Sequence, residues 1–434
     1  MKFVIDSVSK CSGRLGTLSG IERHPKLSVK TPLLLQTTRG GSIPYMSREI
    51  LEMTTDVNQL VLSINLTTTV EMLESVRTSG KTFSSFVALS ECLSFLSFKD
   101  TNEETKSGHH EKAGVPLFSR HGKKVITPEI YMDFVETFQP DFCNLLSDGD
   151  TTMTSSKKRG IHSVSRTADF AQKCLEIREK RESLKKVFTL APIVGGFSHA
   201  NRRKSLEFAQ EATQADGYFI DGLHANGETA VLVPETEILE IAKICTENIP
   251  DEKLKMIPGA IPPLLVLKMI QLGVDIFDNT LPYLYSLKNR ALVFGFDEQA
   301  ASGKRILSIN LADQKFREDF EPVLDGCECL TCKKHTKAYL YHLIDCQELL
   351  GMILLNIHNF HHYRGFFASI HRHIASDSLP NLIASIEAQS DGENFSGIFQ
   401  QSSKSIAKSS KPASPANDSL SEAEDSEEKL TNTK

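Results

Sequence analysis

Apolar residues along this chain fall in short runs separated by longer stretches of helical period. Val61–Leu66 is one such run, bounded by polar residues, and reads as a buried strand. Asp141 to Leu146, Val187 to Val194, Tyr218 to Asp221, Leu254 to Ile257 and Val274 to Phe277 read the same way. Arg202 to Gln214 and Glu235 to Asn248 lie between them with helical spacing. Strand and helix alternating in this order predict a parallel sheet with helices packed on it. The alternation continues without a linker, and no glycine-rich dinucleotide fingerprint follows an early strand. The pattern therefore favours one (β/α)8 TIM barrel over two Rossmann-like halves. Further on, Lys337 to Leu355 predicts one helix, with Leu340, Leu343, Ile344, Leu350 and Leu354 on one face and Gln347 as a polar interruption.

Two stretches read as loops. Lys99 to Lys112 is charged and holds His109 and His110 side by side; Thr151 to Arg159 is polar and ends in a basic triplet. With 434 residues and 40% apolar content the chain can bury a real core. Its net charge of −6 is concentrated near the end, in Ser419 to Glu428. Residues 386–434, mostly Ser, Lys, Glu and Asp from about Ser390 onward, are expected to be a disordered tail after a unit spanning 1–385. Nine cysteines, with no secretory signal ahead of them, suit a reducing compartment. No apolar run approaches the ~18 residues that a membrane span needs.

Three of the cysteines carry the strongest chemical signal. Cys327, Cys329 and Cys332 follow Gly326 on one tight turn, close enough to aim three thiolates at one ion. The predicted helix after them can return His358 as a fourth ligand. Cys3His is a closed tetrahedral set, which predicts one structural Zn2+ rather than a reacting metal. His335, His342, His361 and His362 compete for the fourth position; the last two read as surface residues near a helix end.

Cys327-x-Cys329-x2-Cys332, Lys337 to Leu343 and Leu354-Leu355-x2-His358-Asn359 together resemble the zinc subdomain of the tRNA-guanine transglycosylase, or queuine tRNA-ribosyltransferase, family. Thr31-Pro32, Val125 to Glu129, Met256 to Gly259 and Gly273 to Asp278 extend the resemblance over most of the first 370 residues. It implies a (β/α)8 TIM barrel with an inserted zinc-binding subdomain at about 320–365. It also implies exchange of a guanine base in a tRNA anticodon for a deazaguanine.

That exchange needs a carboxylate nucleophile, a second acid/base group and a pocket that reads the free base. Asp278 stands at the family's nucleophile position, and a strand-end aspartate capping a loop is the plainer reading of it. Asn279 to Tyr285 lacks the arginine of the motif that follows in the family. The family's Asp-Ser-Gly-Gly-Phe-Gln segment is matched to Thr82 to Leu89, which has no aspartate. Its base-reading segments are matched to Asp148, to Gly195 and Gly196 after Val194, and to Gly222 after Asp221. A glutamine is missing there, and a carboxylate enters at Asp221.

A retained scaffold with an eroded site is similar to the family's non-catalytic accessory subunits. This implies a heterodimer with a catalytic queuine tRNA-ribosyltransferase subunit, acting on the wobble position of tRNAs with GUN anticodons. It further implies a cytoplasmic protein with peripheral association to the mitochondrial outer membrane. Two other readings stay open. One is a self-sufficient transglycosylase using Asp278; the other is a zinc-stabilised barrel that binds a nucleobase or a protein without tRNA. Lys157 to Arg159, Arg202 to Lys204 and Lys333-Lys334 are the basic runs that could meet phosphate.

Overall fold

The computed structural model describes residues 1–10, 13–107, 111–211, 215–296, 306–390 and 392–399. Eight parallel strands close a barrel in chain order. They are β1 (Leu33–Thr37), β2 (Val61–Asn65), β3 (Leu93–Ser97), β4 (Phe142–Asn144), β5 (Phe188–Ile193), β6 (Gly217–Ile220), β7 (Leu254–Met256) and β8 (Ile276–Asp278). Six of them were readable as apolar runs, and β1 lies directly after Thr31-Pro32. The sequence reading omits β3, because Ser94 and Ser97 interrupt its apolar pattern. Both serines are buried, and Asp141 accepts hydrogen bonds from the Ser94 amide at 2.8 Å and from its hydroxyl at 3.3 Å.

Alternation along the strands fills the barrel interior. Leu33 and Leu35 of β1 point inward with Phe95, Phe142, Leu190 and Met256, while Leu34 joins the outer core beneath the helices. The Phe95 and Phe142 rings lie 4.9 Å apart. An antiparallel sheet of Lys2–Val8, Arg14–Ser19 and Val29–Thr31 closes the amino-terminal end of the barrel. Arg14 forks onto Asp275 just before β8, at 2.8 and 2.6 Å. With that end sealed, the loops at the carboxyl ends of the strands form the accessible face, as in other barrels of this kind.

Beyond β8 the chain builds a helical layer. The helix predicted over Lys337 to Leu355 is two helices, Lys337–Asp345 and Leu349–Ala375. Gln347, the polar interruption, adopts φ 56, and the Glu348 amide caps the Leu343 carbonyl at 2.8 Å. Leu340, Leu343 and Leu354 still share one buried cluster because the second helix folds back on the first, whereas Leu350, expected on the same face, is exposed beside the corner. The expected loop at Thr151 to Arg159 is shorter than predicted: a helix starts at Lys157, with the Ser156 hydroxyl accepting from the Arg159 amide.

The expected tail also starts later than residue 386. Leu379–Ser390 and Phe395–Phe399 are helices, with Ile386 and Phe399 buried on the barrel's outer core. Gln389 grips Gly295 by both backbone groups, at 2.7 and 2.9 Å. Sparse apolar residues suffice here because each one lands on a surface already built. His109, His110 and the remainder of the expected tail lie outside the described residues.

Candidate functional site

Cys327, Cys329, Cys332 and His358 come together as the sequence predicted, with their ligand atoms within 4.8 Å of one another. Gly326 takes φ 74 at the turn into the cluster. A helix then begins at Leu330, and the Cys329 sulfur accepts from the Cys332 amide at 3.2 Å, so two thiols are aimed by one helix start. The Thr331 hydroxyl anchors that helix to the Leu354 carbonyl at 2.6 Å. One turn further along, His358 turns Nδ1 toward the sulfurs of Cys327, Cys329 and Cys332, at 3.9, 3.6 and 3.3 Å.

The other imidazole nitrogen, Nε2, donates to the Leu292 carbonyl at 2.8 Å. That bond leaves the Nδ1 lone pair for an ion, the arrangement seen around metal-bound histidines. Three soft thiols and one imidazole at this spacing can hold a metal ion. The competing histidines have other partners, although His362 also stacks on His358 with the ring centroids 5.9 Å apart. His335 stacks on Tyr339, His342 lies beside Cys346, and His362 packs between Phe294 and Phe296. His362 is only 3% exposed, contrary to the surface position expected for it, because it sits in the middle of a long helix rather than at its end.

Every base-pocket candidate lies at the carboxyl end of a barrel strand. Asp278 ends β8 and is buried. One of its oxygens accepts from the Gly259 amide at 2.7 Å and the other from the Thr280 amide at 3.0 Å. Burial pushes its carboxyl up, against these hydrogen bonds.

The sequence reading missed its neighbour. Thr82 to Leu89 does not line the mouth; it holds a short helix, Phe83–Phe86, before β3, with Phe83 packed on Phe138. The loop that does line the mouth follows β3 and begins Lys99-Asp100-Thr101-Asn102. Thr101 and Thr280 share a hydroxyl hydrogen bond of 2.6 Å, which sets Asp100 near Asp278. An aspartate is therefore present on this loop, where the matched segment had none. Its register was lost with β3.

Asp100 is 4% exposed. One oxygen accepts from the Asn102 amide; the other has no hydrogen bond and lies 3.7 Å from Arg39 Nε. Burial pushes its carboxyl up to about 6. A cleft of about 540 Å3 opens beside it, lined by Arg39, Thr68, Phe98, Lys106 and Phe118 among others.

Asp148 is spent internally. Both of its oxygens are held by Arg159, and Arg166 adds a contact of 3.1 Å. Arg159 therefore leaves the basic triplet and turns inward. Arg202 leaves its own triplet too: fully buried, it donates to the carbonyls of Ile193, Gly196 and Asp221 at 2.7, 2.8 and 2.7 Å. Gly195 and Gly196 form the turn over this guanidinium, both with positive φ. Gly222 follows Asp221 with φ 73, and its carbonyl accepts from Thr151 at 2.8 Å. Asp221 itself lies against Lys99 at 3.4 Å. Burial would raise its carboxyl, but Lys99, the Gly222 amide and the Ser147 hydroxyl outweigh that and hold it low. Most of the polar groups at the mouth are thus bonded to each other.

Known proteins resemble the chain over nearly its whole length. The family described as queuine tRNA-ribosyltransferase, TGT, matches residues 9–391. A Culex quinquefasciatus protein named queuine tRNA-ribosyltransferase accessory subunit 2 is 44% identical over 409 residues, covering 94% of this chain and 95% of that protein. Proteins of the same name from Anopheles gambiae and Drosophila melanogaster are each 40% identical. The first covers 88% of this chain and 89% of its own length, the second 94% and 97%. The chain belongs to the queuine tRNA-ribosyltransferase family.

Proposed function

We propose that this member of the family is the non-catalytic accessory subunit of a heterodimeric queuine tRNA-ribosyltransferase. A catalytic homologue would exchange guanine for queuine at the tRNA wobble position, and this chain would support the complex and the tRNA. The observation that carries the reading is the state of Asp148. The position matched to base recognition is neutralised by two arginines and has no free oxygen with which to read a base. A site whose polar groups are already bonded cannot select a base by hydrogen bonding.

In the same reading the Cys3His group holds one structural Zn2+, and the subdomain around it, at about residues 320–365, contributes to the subunit interface. Held there, the ion would fix the cysteine turn to the long helix; it would supply no chemistry to the mouth. Cytoplasmic residence with peripheral contact to the mitochondrial outer membrane completes the proposal. Among the described residues no helix is long and apolar enough to cross a membrane. Fractionation with an alkaline wash would separate a peripheral pool from an integral one.

The deciding experiment mixes the purified chain with labelled guanine and cognate tRNA, alone and then with the catalytic homologue. Exchange is expected only in the mixture. Exchange by the chain alone would overturn the accessory role. Failure to associate with the homologue would favour a barrel that acts without tRNA. One observation favours the second reading, a self-sufficient enzyme: Asp100 supplies the second carboxylate beside Asp278 that the sequence reading lacked.

A further inference from the structure

We infer that Lys99 and Asp221 form a built-in occupant of the base pocket, and that this ion pair keeps a free purine base out. The inference rests on the proposed reading only in taking the barrel mouth as the family's base site. Three loops matched to base recognition meet there: Asp148 to Asp150 after β4, Val194 to Gly196 after β5, and Asp221 to Leu223 after β6. Lys99 reaches their meeting point from the loop after β3. Its ammonium donates to the Gly149 carbonyl at 3.1 Å and lies 3.4 and 3.5 Å from the two Asp221 oxygens. The same carboxylate accepts from the Ser147 hydroxyl at 3.0 Å and from the Gly222 amide at 2.7 Å.

Neither charge is turned to solvent; the side chains are 13% and 8% exposed. A neutral purine entering here would separate the pair and could replace neither charge. It would leave an ammonium and a carboxylate in a low-dielectric site beside the buried Arg202, a far larger penalty than any base-edge hydrogen bond returns. The fit uses a glycine: a Cβ on residue 149 would overlap the Asp221 carboxylate where it is now held. Asp221 enters where the family's motif has a glycine, and Lys99 is the cation that offsets it.

Equilibrium dialysis of the full chain against radiolabelled guanine tests this. Wild type, Lys99→Ala and Lys99→Ala/Asp221→Gly are compared, with folding followed by circular dichroism. The wild type is expected to retain guanine at background level. The double variant should bind at least roughly tenfold more tightly, with Lys99→Ala between them. Wild-type binding equal to that of the double variant would overturn the inference. So would a folded double variant with no gain. If the double variant does not fold, Lys99→Ala decides on the same terms, since Asp221 keeps Ser147 and Gly222 in that variant. Base exchange plays no part in this readout, so failure here and failure of the accessory role are separate outcomes.

Discussion

His358 donates Nε2–H to the carbonyl of Leu292 at 2.8 Å, while its neighbour Asn359 accepts from the Leu292 amide, also at 2.8 Å. Two consecutive residues of one helix thus hold both polar groups of a single residue in the strand Arg290–Leu292. Asn359 also donates to the Ser286 hydroxyl and to the Arg290 carbonyl, each at 2.9 Å. The thiol cluster is therefore tied to the helix Thr280–Leu287 that follows β8 and to the strand Arg290–Leu292, and not only to its own loop. A change at the cluster should be felt in both.

Cys329→Ala removes the most buried of the three sulfurs. Zinc by elemental analysis should fall from one equivalent toward none, and association with the catalytic homologue should weaken in parallel. The melting temperature should drop by an amount equivalent to several kcal/mol. The upper bound is the roughly 10–16 kcal/mol that zinc contributes to small modules with no other core. Full zinc content in this variant would remove Cys329 from the ligand set.

Asp148→Ala leaves Arg159 and Arg166 facing each other without their shared counterion. Breaking a buried pair from one side costs about 3–5 kcal/mol, and the urea midpoint should fall accordingly. Were Asp148 an available base-reading group instead, its loss would change ligand binding and leave stability nearly untouched. Chemical denaturation of the free chain separates the two.

Asp100 gives a pH signature. Burial is the main reason its carboxyl is raised from 3.8 to about 6; Glu103 and Asp278 add to it, and the Asn102 amide and Arg39 oppose it. A raised carboxyl favours the protonated form in the folded chain. Its contribution to stability is therefore complete below about pH 4 and is lost as pH rises through about 6. Asp100→Asn cannot ionise, so it should be more stable than wild type at pH 7, by up to about 3 kcal/mol. That advantage should shrink on acidification. A difference that does not change with pH would exclude this origin.

Asp278→Asn distinguishes the two enzymatic readings inside the assembled complex. As part of an accessory subunit it should leave kcat for base exchange within about twofold of wild type, because the reacting carboxylate belongs to the partner. A self-sufficient chain would lose exchange by orders of magnitude. Single-turnover measurements with the heterodimer read this directly.

Local signals in the sequence were the ones that could be read. Three cysteines within one turn define their own geometry, and a barrel announces itself through apolar runs such as Val187 to Val194. His358 could be chosen because the helix carrying it has a clear apolar stripe. β3 escaped because Ser94 and Ser97 break its apolar pattern; Ser94 is satisfied by Asp141, a partner that only the closed barrel supplies, and Ser97 by the Lys99 carbonyl two residues on. Asp100 was lost with it. The pairing of Lys99 with Asp221 was beyond reach for a different reason: the two residues sit on loops after different strands, and neither is unusual alone. Arg159 and Arg202 read as members of basic runs that could meet phosphate, since nothing in a basic triplet says which member turns inward.

Gly149 puts an order on the history of this site. The family motif matched to Asp148-Gly149-Asp150 is Asp-Glu-Cys and that matched to Asp221-Gly222-Leu223 is Gly-Gly-Leu; a Cβ at 149 would overlap the Asp221 carboxylate where it is now held, so a side chain at 149 and this ion pair disfavour each other. The side chain at 149 had to go before, or together with, the arrival of the carboxylate. Gly149→Ala should be severely disruptive beside Asp221 and mild in an Asp221→Gly background, which a double-mutant cycle would read as a strong coupling. The order also holds in reverse: a return to base recognition at this mouth has to remove Asp221 before position 149 can carry a side chain again.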